Sequence, residues 1–153
     1  MLHIALWEPE IPPNTGNIAR LCAATGCPLH LIGPLGFRID EKSLRRAGLD
    51  YWDSVELYRH DTLAELETIL QSRNANLFCL SAHAEKRYTE IPFRSGDCLL
   101  FGPETRGLPA EVVERHGEYC FTIPMLSGKV RSLNLATSVG IVLYEGLRQL
   151  HGW

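Results

Sequence analysis

The apolar positions of the chain form short runs that alternate with segments of helical periodicity. Strands are predicted over the apolar runs 2–7, 29–32, 55–58, 77–80, 98–101 and 119–123. Helices are predicted where apolar residues recur at every third or fourth position, over segments 14–24, 40–47, 62–70, 109–117 and 134–150. Because the two kinds of element alternate, we expect an α/β fold with a largely parallel sheet flanked by helices.

Local signals mark the ends of several predicted helices. Asn14 or Thr15 can cap the first helix, and Gly26 is suited to end it. Residues 62–65 have the sequence of a capping box, and Asn134 is a good cap for the last helix. The last helix has an apolar stripe formed by Leu135, Val139, Val142, Leu143, Gly146 and Leu147.

Length and composition fit one compact domain over residues 1–153, since 45% of the residues are hydrophobic. The first residues lack the pattern of a secretory signal, and no apolar run is long enough to span a membrane. The cysteines are odd in number and none forms a CxxC pair: Cys22, Cys27, Cys79, Cys98 and Cys120. We therefore expect buried thiols in a cytoplasmic protein, without a metal site.

The net charge of −3 and the pI of about 6.1 argue against a protein that holds nucleic acid by its overall charge. Any RNA binding would need a local patch. The best candidate is the group of cations Arg38, Lys42, Arg45 and Arg46. Taken alone, such a group also fits the solvated face of an ordinary helix.

Three segments, 14–20, 99–109 and 123–139, combine glycines and polar residues where a predicted strand ends or a helix begins. In an α/β fold, ligands bind at the carboxyl ends of the strands. Each segment also fits an ordinary structure when it is considered alone. The first could be a capped helix with a surface arginine, the second a tight turn, and the third a loop with solvated cations.

The chemistry available in these segments differs from one to the next. Arg20 lies on the first predicted helix, one turn beyond Gly16. Gly102 would allow a flat ligand to rest against the backbone, and Glu104 and Arg106 can pair with each other or with a substrate. The third segment has two loop cations before a helix start, and helix starts attract anions.

Together the three segments resemble the three motifs of the SpoU (SPOUT) RNA 2′-O-methyltransferases, over essentially the whole chain. Residues 8–17 and 45–51 are similar to the small single-domain branch that modifies tRNA at cytidine or uridine. One departure is the pair Ala136–Thr137, where this family's pattern leads us to expect Ser–Asn.

The resemblance implies a SPOUT fold with a C-terminal trefoil knot, a homodimer, and S-adenosylmethionine as the cofactor. By position in the motifs, the cofactor-binding residues would be Leu80, Gly102, Ile123, Ser132 and Leu133. The residues assigned to catalysis would be Arg20, Asn14, Glu104 and Asn134. We favour Arg20 as a positioning cation for a phosphate or a developing alkoxide, because a guanidinium group does not give up its proton in proteins.

The expected substrate is tRNA, methylated on the ribose of the wobble nucleotide, cytidine 34 or a modified uridine 34, with leucine tRNAs as the first choice. The RNA-binding candidates are Arg38, Lys42, Arg45, Arg46, Arg131 and Tyr144. Two alternatives remain: another tRNA or rRNA site, and a non-catalytic RNA-binding module on the same scaffold. A nucleotide-binding enzyme of the Rossmann type does not fit, because no GxGxxG follows the first strand.

Overall fold

The structure is a computed structural model that describes residues 1–38 and 52–153. Its strands are β1 (His3–Trp7), β2 (Leu29–Ile32), β3 (Leu57–His60), β4 (Leu77–Leu80), β5 (Lys86–Arg87), β6 (Cys98–Phe101) and β7 (Cys120–Thr122). Its α-helices are α1 (Pro12–Thr25), α2 (Leu63–Ser72), α3 (Ala110–His116) and α4 (Leu135–His151). The predicted helix over 40–47, with Lys42, Arg45 and Arg46, lies outside the described residues.

The described strands form one sheet in the order β3-β2-β1-β6-β4-β7-β5, and each observed pairing is parallel. This confirms the predicted α/β class with a parallel sheet and flanking helices. In a parallel sheet all carboxyl ends lie at one edge, so the loops that follow β1, β6 and β7 meet there.

Side chains alternate between the two faces of the sheet and supply two hydrophobic cores. On one face, strand residues such as Ile4 and Leu99 pack with Ile18 of α1 and Val142 of α4. On the other face, residues such as Leu100 pack with α2 and α3. The apolar runs at β4 and β6 are therefore continuous because both of their faces are covered, as expected from the sequence.

The start of α1 differs from the prediction. The helix begins at Pro12, with Ile11 in the capping position and without a side-chain cap, so neither Asn14 nor Thr15 caps it. A proline is well accommodated in the first turn, because the amide it lacks would have no helical partner there. Gly26 ends the helix in the left-handed conformation, as predicted.

Two further details of the prediction are wrong. Strand β3 begins at Leu57, two residues later than expected, because Leu57 is the first residue in register with β2, opposite Leu29. Thr62 precedes α2 but makes no side-chain cap, and Glu65 accepts a hydrogen bond from the amide of Asp61 instead. Short strand β5 was not predicted, because its two charged residues carry no apolar signal.

The predicted apolar stripe of α4 is buried in full, and Gly146 lies at its tightest point. A Cβ atom at Gly146 would lie 2.5 Å from Leu2 Cδ1 and 2.9 Å from the ring of Phe93. Gly140, on the same helix, has no atom within 4 Å of such a Cβ. The two glycines therefore differ in whether a neighbour occupies the space of a methyl group.

We expect Gly146→Ala to lower the free energy of unfolding by about 1–3 kcal/mol, because Leu2 and Phe93 must move. Gly140→Ala is the matched control, and it should gain up to about 1 kcal/mol from helix propensity. Urea denaturation of both variants measures the difference. Equal free energies of unfolding for the two variants would contradict the close packing at Gly146.

The five cysteines are buried and unpaired, as predicted. Burial raises the pKa of the Cys22 thiol to about 12, so it stays protonated and packs as a small apolar side chain. Within residues 1–38 and 52–153, no helix is long and apolar enough to cross a membrane. The same residues contain no cluster of His, Cys, Asp and Glu that could hold a metal ion.

Three buried histidines form a ladder across the first three strands. His3 Nδ1 is hydrogen-bonded to His30 Nε2, and His30 Nδ1 to His60 Nε2, both at 2.9 Å. The rings are stacked, and Tyr58 also stacks on His30. Burial and the neighbouring histidines lower the pKa of His30 to about 3, so the centre of the ladder is neutral at physiological pH.

Candidate active site

The three sequence segments meet through the side chain of Asn14, which is buried in the first turn of α1. Asn14 Nδ2 donates to Glu104 Oε2 at 3.3 Å, and Asn134 Nδ2 donates to Asn14 Oδ1 at 3.0 Å. Asn134 also caps α4, since its Oδ1 accepts from the amide of Thr137 at 3.2 Å. Three of the four residues predicted as catalytic therefore form one hydrogen-bonded chain that holds the three segments together.

The carboxylate of Glu104 also binds the backbone just before α1. Its two oxygens accept from the amides of Glu10 at 2.9 Å and Ile11 at 2.7 Å. The suggested Glu104–Arg106 pair is therefore not formed, because the Glu104 carboxylate is taken up by donors near α1. A negative charge at the beginning of a helix is also favourable toward the helix dipole.

A second carboxylate makes the reverse connection. Glu10 Oε1 accepts from both the amide of Thr105 at 3.1 Å and its hydroxyl at 2.7 Å. These two bonds hold the pKa of the Glu10 carboxyl below its usual value, because they stabilise the charged form. Sequence reasoning missed both residues, although Thr105 lies inside the second segment and Glu10 inside the stretch 8–17 that carries the family resemblance.

The loop after β6 is folded tightly onto Gly102. A Cβ atom at this position would lie 2.2 Å from the amide nitrogen of Leu108 and 2.3 Å from the carbonyl carbon of Gly107. The amide of Gly107 closes the turn by donating to the carbonyl of Pro103 at 2.9 Å. The protein's own backbone thus makes a close approach that requires a glycine at position 102.

The predicted cofactor residues lie at the carboxyl edge of three adjacent strands, β6, β4 and β7. Leu80 ends β4, Gly102 follows β6, and Ile123 follows β7. Ser132 and Leu133 lie in the exposed loop just before α4. Apolar side chains beside loop backbone suit an adenosine group held mainly by main-chain hydrogen bonds.

The predicted catalytic residue Arg20 and the residues predicted to bind RNA are spread over several elements. Arg20 is exposed on α1, Arg38 is exposed after β2, and Arg131 is exposed in the loop before α4. Tyr144 is exposed on α4, with its ring centroid 6.4 Å from that of Trp153. Lys42, Arg45 and Arg46 fall outside the described residues.

A cleft of about 490 Å³ borders the loop after β6. Trp7, His83 and Arg106 line it together with the beginning of α3, and the indole of Trp7 donates to the carboxylate of Glu8. None of the predicted catalytic or cofactor residues lines this cleft. The cleft therefore shares the loop after β6 with the candidate site but not the predicted residues themselves.

Comparison with known proteins identifies the chain's family. The sequence profile of the SpoU rRNA Methylase family matches residues 1–144. The chain belongs to the SpoU methylase family. This confirms the resemblance inferred from the three motifs, and with it the assignment to the methyltransferases.

Relatives of this SpoU methylase cover almost its whole length. The tRNA (cytidine(34)-2′-O)-methyltransferase of Yersinia pestis is 49% identical over 98% of this chain and 94% of its own. The protein of the same name from Escherichia coli K12 is 47% identical, with the same coverage.

Solved structures agree with the fold. One, described as giving structural insights into the 2-OH methylation of C/U34 on tRNA, has a TM-score of 0.91 and 54% identity. The match covers 100% of this SpoU methylase and 98% of the chain in that structure. The SpoU methyltransferase AviRb from Streptomyces viridochromogenes, solved in complex with AdoMet, has a TM-score of 0.84 and 26% identity. The match covers all of this chain and 61% of AviRb.

Proposed function

We propose that this SpoU methylase is an S-adenosylmethionine-dependent tRNA 2′-O-methyltransferase that methylates the ribose of nucleotide 34 in the anticodon. The observation that carries the proposal is the convergence of the three motif segments at Asn14, on the carboxyl edge of the sheet. The choice of tRNA and of nucleotide 34 follows relatives that share nearly half of their residues with this chain.

In this proposal the cofactor lies against Leu80, Gly102 and Ile123, with Ser132 and Leu133 closing over it. When bound, S-adenosylmethionine supplies a methyl group made electrophilic by its sulfonium. The protein must hold a ribose 2′-hydroxyl in line with that methyl group, and positioning alone can supply several kcal/mol of the barrier. The hydrogen-bonded chain through Asn14 fixes the loop after β6 relative to α1, the helix that carries Arg20.

Arg20 acts here as a positioning cation. Because guanidinium groups keep their proton in proteins, an arginine suits the stabilisation of negative charge on a phosphate or on the developing alkoxide rather than the role of a base. Three residues act by holding the segments of the site in position, since their polar atoms bind one another and the backbone: Asn14, Glu104 and Asn134. This assigns them positioning roles in place of the direct catalytic roles suggested by the sequence.

The proposal includes a homodimer with a C-terminal trefoil knot in each single-domain subunit, as the family resemblance implies. A chain with a net charge of −3 needs its few cations concentrated to bind a polyanion. A two-fold dimer can bring the cations of one subunit beside the cofactor loops of the other. The cytoplasmic location and the preference for leucine tRNAs remain predictions from the sequence.

We expect Arg45→Glu combined with Arg46→Glu to weaken tRNA binding by at least about tenfold, because phosphate contacts dominate such affinities. Cofactor binding and dimerisation should be unchanged. Filter binding over a salt series measures the affinity, and sedimentation measures the assembly. A double variant with wild-type tRNA affinity would contradict the proposed contact, and an active monomeric wild-type protein would contradict the shared site.

The decisive test is transfer of tritiated methyl groups from S-adenosylmethionine to total tRNA from a strain that lacks this modification. Nuclease mapping should find the label on the ribose of nucleotide 34. A parallel reaction with rRNA distinguishes the main alternative within the family. Label at another tRNA position or in rRNA would replace the proposed substrate, and no label in either RNA would argue for a non-catalytic RNA-binding module.

A further inference from the structure

Two carboxylates connect the loop before α1 and the loop after β6 in opposite directions. Glu104 reaches from the second loop to the amides of Glu10 and Ile11, while Glu10 reaches back to Thr105. We call these contacts the reciprocal clasp. The residues that it joins lie more than 90 positions apart in the chain, so the clasp fixes one loop against the other.

The two carboxylates of the clasp, those of Glu104 and Glu10, differ in their hydrogen-bond partners. Glu104 also binds Asn14, and through Asn14 it is connected to Asn134 and the beginning of α4. Among the described residues, the carboxylate of Glu10 has one hydrogen-bond partner, Thr105, whose amide and hydroxyl both donate to the same carboxylate oxygen. The tip of the loop after β6, opposite its closure onto Gly102, is thus held by Glu10.

We propose that Glu10 is a positioning residue for methyl transfer: through Thr105, its carboxylate keeps the loop after β6 aligned with α1. This inference rests on the proposed function, in which Gly102 in that loop contacts the cofactor and Arg20 on α1 faces the ribose. Loss of the Glu10–Thr105 half of the clasp would leave both binding surfaces present but misaligned. The turnover number should then fall while the affinities for cofactor and tRNA change little.

Turnover distinguishes positioning from a merely structural role. We expect Glu10→Ala to lower kcat by about 10- to 100-fold, as small misplacements of reacting groups do. The KM for tRNA, the Kd for S-adenosylmethionine and the thermal midpoint should stay close to those of the wild type. Thr105→Val, which removes the hydroxyl donor, should lower kcat in the same way, and Thr105→Ser, which keeps it, should retain most of the activity.

The matched control is Glu118→Ala, which removes an exposed carboxylate from the turn before β7. It should leave kcat unchanged. If Glu10 acts through Thr105, the double variant Glu10→Ala, Thr105→Val should be no slower than the slower single variant. Independent losses that multiply in the double variant would overturn the proposal. A drop in thermal midpoint large enough to account for the lost activity would overturn it as well.

A readout without activity separates this inference from the proposed function. Amide hydrogen exchange should show a protected Thr105 amide in the wild type and a faster exchange in Glu10→Ala, with the Glu118→Ala protein unchanged. Fast exchange at Thr105 in the wild type would overturn the clasp. If the wild-type protein transferred no methyl group to any RNA, the proposed function would fail, and with it the positioning role of Glu10, whatever the exchange result.

Discussion

Replacing Arg20 with alanine is expected to lower the turnover of tRNA methylation by about 100-fold or more, the usual cost of removing a group that stabilises developing negative charge. Arg20 lies on α1, whose first turn is fixed to the cofactor side of the site by Asn14. None of the predicted cofactor residues lies on α1, so the affinity for S-adenosylmethionine should be nearly unchanged. Single-turnover methyl transfer and calorimetry measure the two quantities separately.

Two further variants test whether the effect is specific to the guanidinium of Arg20. Arg20→Lys keeps a positive charge but loses the planar fork of donors, so it should recover only part of the turnover. Arg115→Ala is the control, since Arg115 lies on α3, across the sheet from α1, where it pairs with Glu67 at 2.7 Å. If the Arg20→Ala protein lost cofactor binding as severely as turnover, or kept its turnover, the assigned role would be wrong.

The fold was predictable because its signals are local. Four-residue apolar runs mark β4 and β6, and the stripe of α4 that the sequence predicts is the set of residues that the structure buries. Capping is a weaker signal, because several residues can satisfy it. The polar residues near the start of α1 could have capped it, yet Asn14 is used for long-range contacts and the helix begins earlier, at Pro12.

Three residues of the candidate site could be selected from the sequence, but the contacts between its residues could not be predicted. The resemblance to the SpoU family selected Asn14, Glu104 and Asn134, and the structure brings these three together. The resemblance gave no reason to join Glu10 to Thr105, because nothing in the sequence relates two polar residues that lie 95 positions apart. Such contacts depend on which strands are neighbours, and the order of strands is a property of the whole fold.

The histidine ladder was missed for the same reason. His3, His30 and His60 are separated by 27 and 30 residues, and each lies singly in a short strand. Only the order β3-β2-β1 and the register of its pairs bring the three rings to one face of the sheet. The resulting ladder is a buried polar group whose protonation must affect the stability of the fold.

We expect the protein to lose stability as the pH falls below about 6.5, at about 1.4 kcal/mol per pH unit for each histidine kept neutral in the fold. Burial lowers the pKa of His3, helped by Arg73 and opposed by Glu56, and burial lowers the pKa of His60 against the effect of Glu65. In the unfolded chain, each of the three histidines takes up a proton as the pH falls below its usual pKa. The neutral ladder therefore contributes its full stability above a pH of about 6.5, and this contribution is lost as the pH falls.

His30 should make the largest contribution, because its folded pKa of about 3 lies far below that of the unfolded chain. By pH 5 it alone should cost about 2 kcal/mol. The measurement is urea denaturation between pH 7.5 and 5, above the range in which carboxylates take up protons. His30→Gln should be less stable at pH 7.5 but show a smaller slope with pH, whereas His151→Gln, at the exposed end of α4, should keep the wild-type slope. A wild-type protein with pH-independent stability over this range, or equal slopes in both variants, would show that the ladder accepts protons as readily as the unfolded chain.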